Sequence, residues 1–166
     1  MGINPKDVID LIIRPALNGI NLGGEAAIQL LAGTCATESA MGSNLIQTSG
    51  IALGIFQIEP KTHYDIHNNY LRFHADLADK IYKICGMPWH NIGTVPYDDE
   101  LIYNLRYAVC MARLKYYRNS RNLPGLNDIV AQASYWKDIY NTPSGKGLEA
   151  GYLISYDKYL KAYYNQ

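Results

Sequence analysis

No apolar run in this chain of 166 residues reaches the roughly 18 that a membrane-spanning helix needs. The longest stretch, from Ala26 to Ala36, is interrupted by Gln29 and Thr34, so membrane insertion is not expected. Nor is there a surplus of either charge, since 15 basic side chains face 15 acidic ones. That balance removes the broad positive field on which non-specific nucleic-acid binding depends, and nucleic acid is not an expected partner. Cysteine is scarce: Cys35, Cys85 and Cys110 are odd in number and lack CxxC spacing. They read as buried free thiols with packing roles rather than as a zinc site or a disulfide framework. The opening Met-Gly-Ile-Asn-Pro-Lys-Asp has neither the basic start nor the continuous apolar segment of a secretory signal, so export by that route is not expected.

What is present is an ordinary globular composition, 48% apolar and 18% charged. A chain of this size buries roughly 70% of the surface it would expose unfolded, enough for a core without metal or disulfide staples. No repeat or compositional break divides it, and residues 1–166 read as one domain acting as a monomer.

The apolar spacing is mostly helical. Asn4-Pro5 caps a short helix with Val8, Leu11 and Ile12 on its stripe, ending near Pro15. After Gly23-Gly24, the residues Ile28, Leu31, Cys35 and Glu38 share one helical face, which ends at Glu38 or just beyond. Residues 43–56, rich in glycine and small polar residues, predict a β-hairpin or loop, and Pro60 opens a further helix. Helix resumes over 64–84 with a break near His74. A long helix capped by Asp98 or Asp99 follows, carrying Leu101, Leu105, Ala108 and Ala112. From Asn127, Ile129, Ala133, Trp136 and Tyr140 form another face, broken by Pro143, Gly145 and Gly147; a last helix covers 148–164.

Glu38 is the position with chemical content, because a carboxylate falls on a stripe otherwise built of Ile28, Leu31 and Cys35. Partial burial, and the carbonyl end of a helix, both disfavour ionisation and keep a proton available for general acid catalysis near neutral pH. A Glu at a frayed helix end facing solvent is the alternative.

Around Glu38 the motifs are specific. Glu38-Ser39, then Ser49-Gly50-Ile51-Ala52-Leu53-Gly54-Ile55-Phe56-Gln57-Ile58 and Pro60-Lys61-Thr62, resemble the active-site region of soluble lytic transglycosylases and goose-type lysozymes. Asn104, Ala108 and Leu114 are similar to that family's Asn-containing core helix, and Tyr140-Asn141 with Gly145 to its Tyr-Asn-Ala-Gly element. The likeness spans about residues 25–145. It implies a mostly α, lysozyme-like α+β fold with a small hairpin or loop beside a cleft, and cleavage of the β-1,4 bond between N-acetylmuramic acid and N-acetylglucosamine in peptidoglycan. Glu38 would be the catalytic acid and then the base on the muramic acid 6-hydroxyl, giving a 1,6-anhydro product; a hydrolytic lysozyme with the same Glu is the alternative. Ser49, Gln57, Tyr140 and Asn141 would contact substrate, with Thr48 competing for the place of Ser49 and Tyr135 for that of Tyr140. Glu59, directly before Pro60, reads as a helix cap, and Phe56 as core. No cofactor is implied, the expected partner is the peptidoglycan glycan strand, and the compact chain resembles phage lysis or virion-associated murein enzymes.

Two competing readings come from the residues themselves. His63, His67 and His74 at i, i+4 and i+11 would share a face of an unbroken helix, as metal ligands of a hydrolase do, but no Glu accompanies them in a His-Glu-x-x-His arrangement. Tyr152, Tyr156, Tyr159 and Tyr163 recur at helical spacing, which suits either docking of the last helix or a non-catalytic glycan-binding face.

Overall fold

The computed structural model describes residues 2–88, 90–142 and 145–165. Asn4 caps the first helix, its side chain accepting from the Lys6 N–H at 2.9 Å, and α1 (Pro5–Asp7) runs without interruption into a π-helical segment Val8–Ile13 and then α2 (Arg14–Gly19). The helix therefore does not end near Pro15. The widened turn lets Arg14 N–H bond to Ile9 five residues back, directly before Pro15, which has no N–H to give; the π turn thus carries the helix past the proline.

Helix α3 (Glu25–Ser39) is buried along most of its length, and Ala40 closes it in the left-handed conformation. It ends one residue past Glu38, as its spacing predicts. The loop that follows is not a hairpin. Among the described residues it carries only isolated antiparallel bridges, Ile46 with Leu53 and Leu53 with Ile58. Gly54 and Gln57, at φ +72° and +47°, curl the chain too tightly to extend either ladder. A Cβ on Gly54 would sit 1.8 Å from the Leu101 carbonyl oxygen, so only glycine lets this loop lie against the backbone at Leu101.

Then come α4 (Pro60–Asn69), a 3-10 turn Leu71–Phe73 and α5 (Ala75–Ile84), with the break at His74 in place. The long helix expected after Asp99 is two: α6 (Glu100–Tyr103) and α7 (Leu105–Tyr117). Asn104 leaves helical geometry between them and caps α7 by accepting from Tyr107 N–H at 3.2 Å. Helix α8 (Ile129–Tyr135), capped by Asp128, passes into a second π-helical turn, Trp136–Asn141. The chain finishes with α9 (Glu149–Tyr159) and α10 (Lys161–Tyr164). Pro143, one of the expected helix breakers, lies outside the described residues.

The core is one continuous cluster in which α3 and α7 are buried along most of their lengths. Tyr152 of α9 settles the role of the tyrosine stripe at that point: its hydroxyl lies 3.3 Å from the Leu30 carbonyl, and a Cβ on Gly33 would come within 2.0 Å of it. Tyr156 likewise meets Gln29 Nε2 at 3.1 Å, so these rings dock α9 onto α3. Phe56 is fully buried, and the three cysteines are free, Cys35 and Cys110 in the core and Cys85 at its margin. No helix among the described residues is long and apolar enough to cross a membrane.

Candidate active site

A cleft of about 610 Å³ opens between the end of α3 and the second π-helical turn. Thr37 and Glu38 from the last turn of α3 lie in its wall with Gln57 from the loop, Lys115 from α7, and Trp136, Tyr140 and Asn141 from the π turn. The last turn of α3 is held to the loop by Ser39, the neighbour of Glu38. Its buried Oγ lies 2.7 Å from the Ile55 carbonyl oxygen and accepts from Gly42 N–H at 2.8 Å. This pair of bonds sets the loop that carries Gln57 against the helix that carries Glu38.

Glu38 is half-buried, and Trp136 Nε1–H donates to its Oε1 at 2.9 Å. Desolvation pushes its pKa up to about 7, against the smaller opposing effects of the Trp136 hydrogen bond and the Lys115 charge. Its proton is therefore exchangeable near neutrality. Lys115 is itself pushed down by burial and held up by Glu38 and Glu59, and its Nζ lies 4.0 Å from the centre of the Tyr140 ring.

The other expected residues fall in different places. Gln57 lines the cleft, and its Nε2 donates to the Gly54 carbonyl at 2.7 Å, so its amide also braces the loop. Tyr140 lines it too, but its hydroxyl donates to the Phe56 carbonyl at 2.8 Å, and the residue that touches Glu38 is Trp136. Tyr135 is elsewhere, donating to the Arg121 carbonyl at 3.1 Å. Asn141 is in the wall, its Oδ1 accepting from Lys137 Nζ at 3.0 Å. Ser49 and Thr48 stand in an exposed turn outside the cleft, where Gln47 takes the place expected for them.

Glu59 requires a correction. It occupies the N-cap position of α4 without making a side-chain capping bond, and it lines the cleft with Glu38. The histidines correct the metal reading. The break at Tyr70–His74 separates His74, whose Nδ1 meets the Tyr70 carbonyl, from His63 and His67. Those two are buried and share the Tyr107 hydroxyl, at 2.5 and 2.6 Å, while His63 Nδ1 meets Asp98 at 2.7 Å.

No protein-family model matches the chain, and comparison with curated proteins and with solved structures returns no match.

Proposed function

We propose that the chain cleaves the β-1,4 glycosidic bond between N-acetylmuramic acid and N-acetylglucosamine in peptidoglycan, with Glu38 as the catalytic acid. The observation that carries this reading is a carboxyl held near pKa 7 by burial at an open cleft, with an indole N–H fixing its orientation. Glu38 gives its proton to the bridging oxygen as the C1–O bond breaks. The resulting carboxylate then takes the proton of the muramic acid 6-hydroxyl while O6 bonds to C1, which closes a 1,6-anhydro ring without water. Gln57 and Asn141 offer amide groups to acetamido and hydroxyl substituents, and Lys115 with Tyr140 forms the neighbouring wall. A phage-encoded lysis or virion-associated enzyme acting on the bacterial wall is the setting that suits this activity.

A second reading has one observation in its favour. Glu59 puts another carboxyl group in the same cleft, and an inverting hydrolase uses such a pair, one to protonate the leaving oxygen and the other to activate water. In that case the same bond is cleaved and the product has a reducing end.

The deciding experiment is digestion of purified peptidoglycan in EDTA, with the released muropeptides weighed. Soluble fragments from the wild-type chain, and none from folded Glu38→Gln, support the proposal. Undigested sacculi with folded wild-type protein would sink it, and activity lost in EDTA but restored by zinc would assign the chemistry to a metal.

A further inference from the structure

A second groove, of about 740 Å³, shares Thr62 and Lys115 with the walls of the Glu38 cleft, so the two adjoin at these side chains. Lys61, Asp65 and Asn69, spaced by four residues along α4, fall on one helical face in its wall, joined by Arg118 at the end of α7. Its acidic groups are already committed. Asp65 Oδ2 accepts from Arg118 Nη1 at 2.7 Å, and Asp138 Oδ2 from Arg121 Nη1 at 2.8 Å. Lys61 and Lys115 have no carboxylate within 4.0 Å among the described residues. Arg118 Nε is buried without a hydrogen-bond partner there. The groove thus presents two lysines without a close ion pair and one guanidinium N–H without a partner, while Lys115 also feels the charges of Glu38 and Glu59 from the cleft side.

Bare N-acetylated sugars are neutral and gain little from such charge, whereas carboxylates gain charge-assisted hydrogen bonds. A muramic acid carries its peptide stem through the lactyl group, and a stem whose carboxyl groups are neither amidated nor cross-linked is an anion. A strand whose glycosidic oxygen lies at Glu38 therefore places a stem next to the cleft. We propose that this groove binds the carboxylates of the peptide stem, with Lys61 and Lys115 supplying the charge and Thr62 and Asn69 the neutral hydrogen bonds. The proposal rests on the peptidoglycan reading of the Glu38 cleft and names the part of the substrate that reading leaves unassigned.

The test is an amide NMR titration of the full chain carrying Glu38→Gln, which prevents turnover. The probes are an N-acetylmuramyl tripeptide with free carboxylates, the same compound with its carboxylates amidated, and a peptide-free N-acetylglucosamine oligosaccharide. The free-acid tripeptide should shift the amides of Thr62, Asn69 and Arg118. Amidation, or addition of Lys61→Glu, should weaken this binding about three- to tenfold, as expected for partly exposed ionic contacts. Equal binding of the free and amidated forms, or shifts confined to the Glu38 cleft, would overturn the proposal. The oligosaccharide reports on the glycan reading alone: shifts around Glu38 and Gln57 support it, and their absence counts against it whether or not the groove binds the stem.

Discussion

Trp136 Nε1–H donates to Glu38 Oε1 at 2.9 Å, joining the end of α3 to the π turn after α8. The bond fixes the carboxyl in the cleft and favours its charged form, while desolvation favours the neutral one more strongly. The balance leaves both forms accessible around pH 7, which is what a group that first gives and then takes a proton requires.

Trp136→Phe should keep the ring packing and remove the donor. A hydrogen bond to a charged group is worth about 1.5–3 kcal/mol, so the Glu38 pKa should rise by about one unit or more. The alkaline limb of the pH–rate profile on peptidoglycan should move upward by that amount. An unmoved limb would show that the indole does not tune the acid.

Glu38→Gln should lower the rate at least about 10² to 10⁴-fold, since the amide cannot give a proton. Stability should change with the opposite sign. Folding raises the Glu38 pKa from 4.5 to about 7, so its stabilising contribution is complete below 4.5 and is lost as pH rises through 7. At pH 8 the variant should be the more stable protein by up to about 3 kcal/mol, and at pH 4 the difference should vanish. Urea unfolding at the two pH values measures this.

Glu38 was legible because its helical face is otherwise apolar and its helix ends where the periodicity ends. Trp136 was legible as a face-mate of Tyr140 but not as the donor to Glu38, since a π turn inserted after Tyr135 changes which side chains a helix presents. The same device carries the first helix past Pro15. Lys115 has no local signal at all: it lies within an ordinary helix and becomes part of the cleft only when α7 packs beneath the π turn. Glu59 misled because the residue before an N1 proline is the usual capping position, yet its side chain makes no cap. The histidine spacing misled for the converse reason: it assumes an unbroken helix, and the chain leaves α4 before His74.

Acid should destabilise the fold through the histidines that share Tyr107. Burial lowers the pKa of His63, against a raising effect from Asp98, and lowers that of His67 to about 3, helped by the neighbouring His63 and His90. Both are favoured neutral in the fold, so the stability they contribute is present above the ordinary histidine pKa of 6.5 and is lost as pH falls below it. Tyr107→Phe should leave the two imidazoles short of a partner, at about 1–3 kcal/mol for each. Because the titration of Glu38 acts with the opposite sign in this range, the measurement uses Glu38→Gln, whose Tm should fall as the pH drops from 8 to 5 through about 6.5. A flat Tm over that range would show that neither histidine titrates differently on unfolding.

Product chemistry turns on Glu59. With Glu38 as acid and then base, the muramic acid 6-hydroxyl is the nucleophile and every new muramic acid end is a 1,6-anhydro end, one water lighter than a hydrolytic one. With Glu59 activating water, the ends are reducing and the two carboxyl groups act on opposite faces of the sugar. Glu59 is exposed and its charge reaches Lys115, so it is placed to hold positive charge in the cleft under either scheme. Glu59→Gln separates the two. On the single-acid scheme it should leave the anhydro product dominant, with a rate loss of less than about tenfold, the size expected when an exposed charge loses its partner. On the hydrolytic scheme it removes a general base and should cost at least about 10² in rate. We expect the first outcome, read by the mass of the muropeptides together with the rate; reducing ends from the wild type, and their loss in Glu59→Gln, would instead assign the chemistry to a lysozyme.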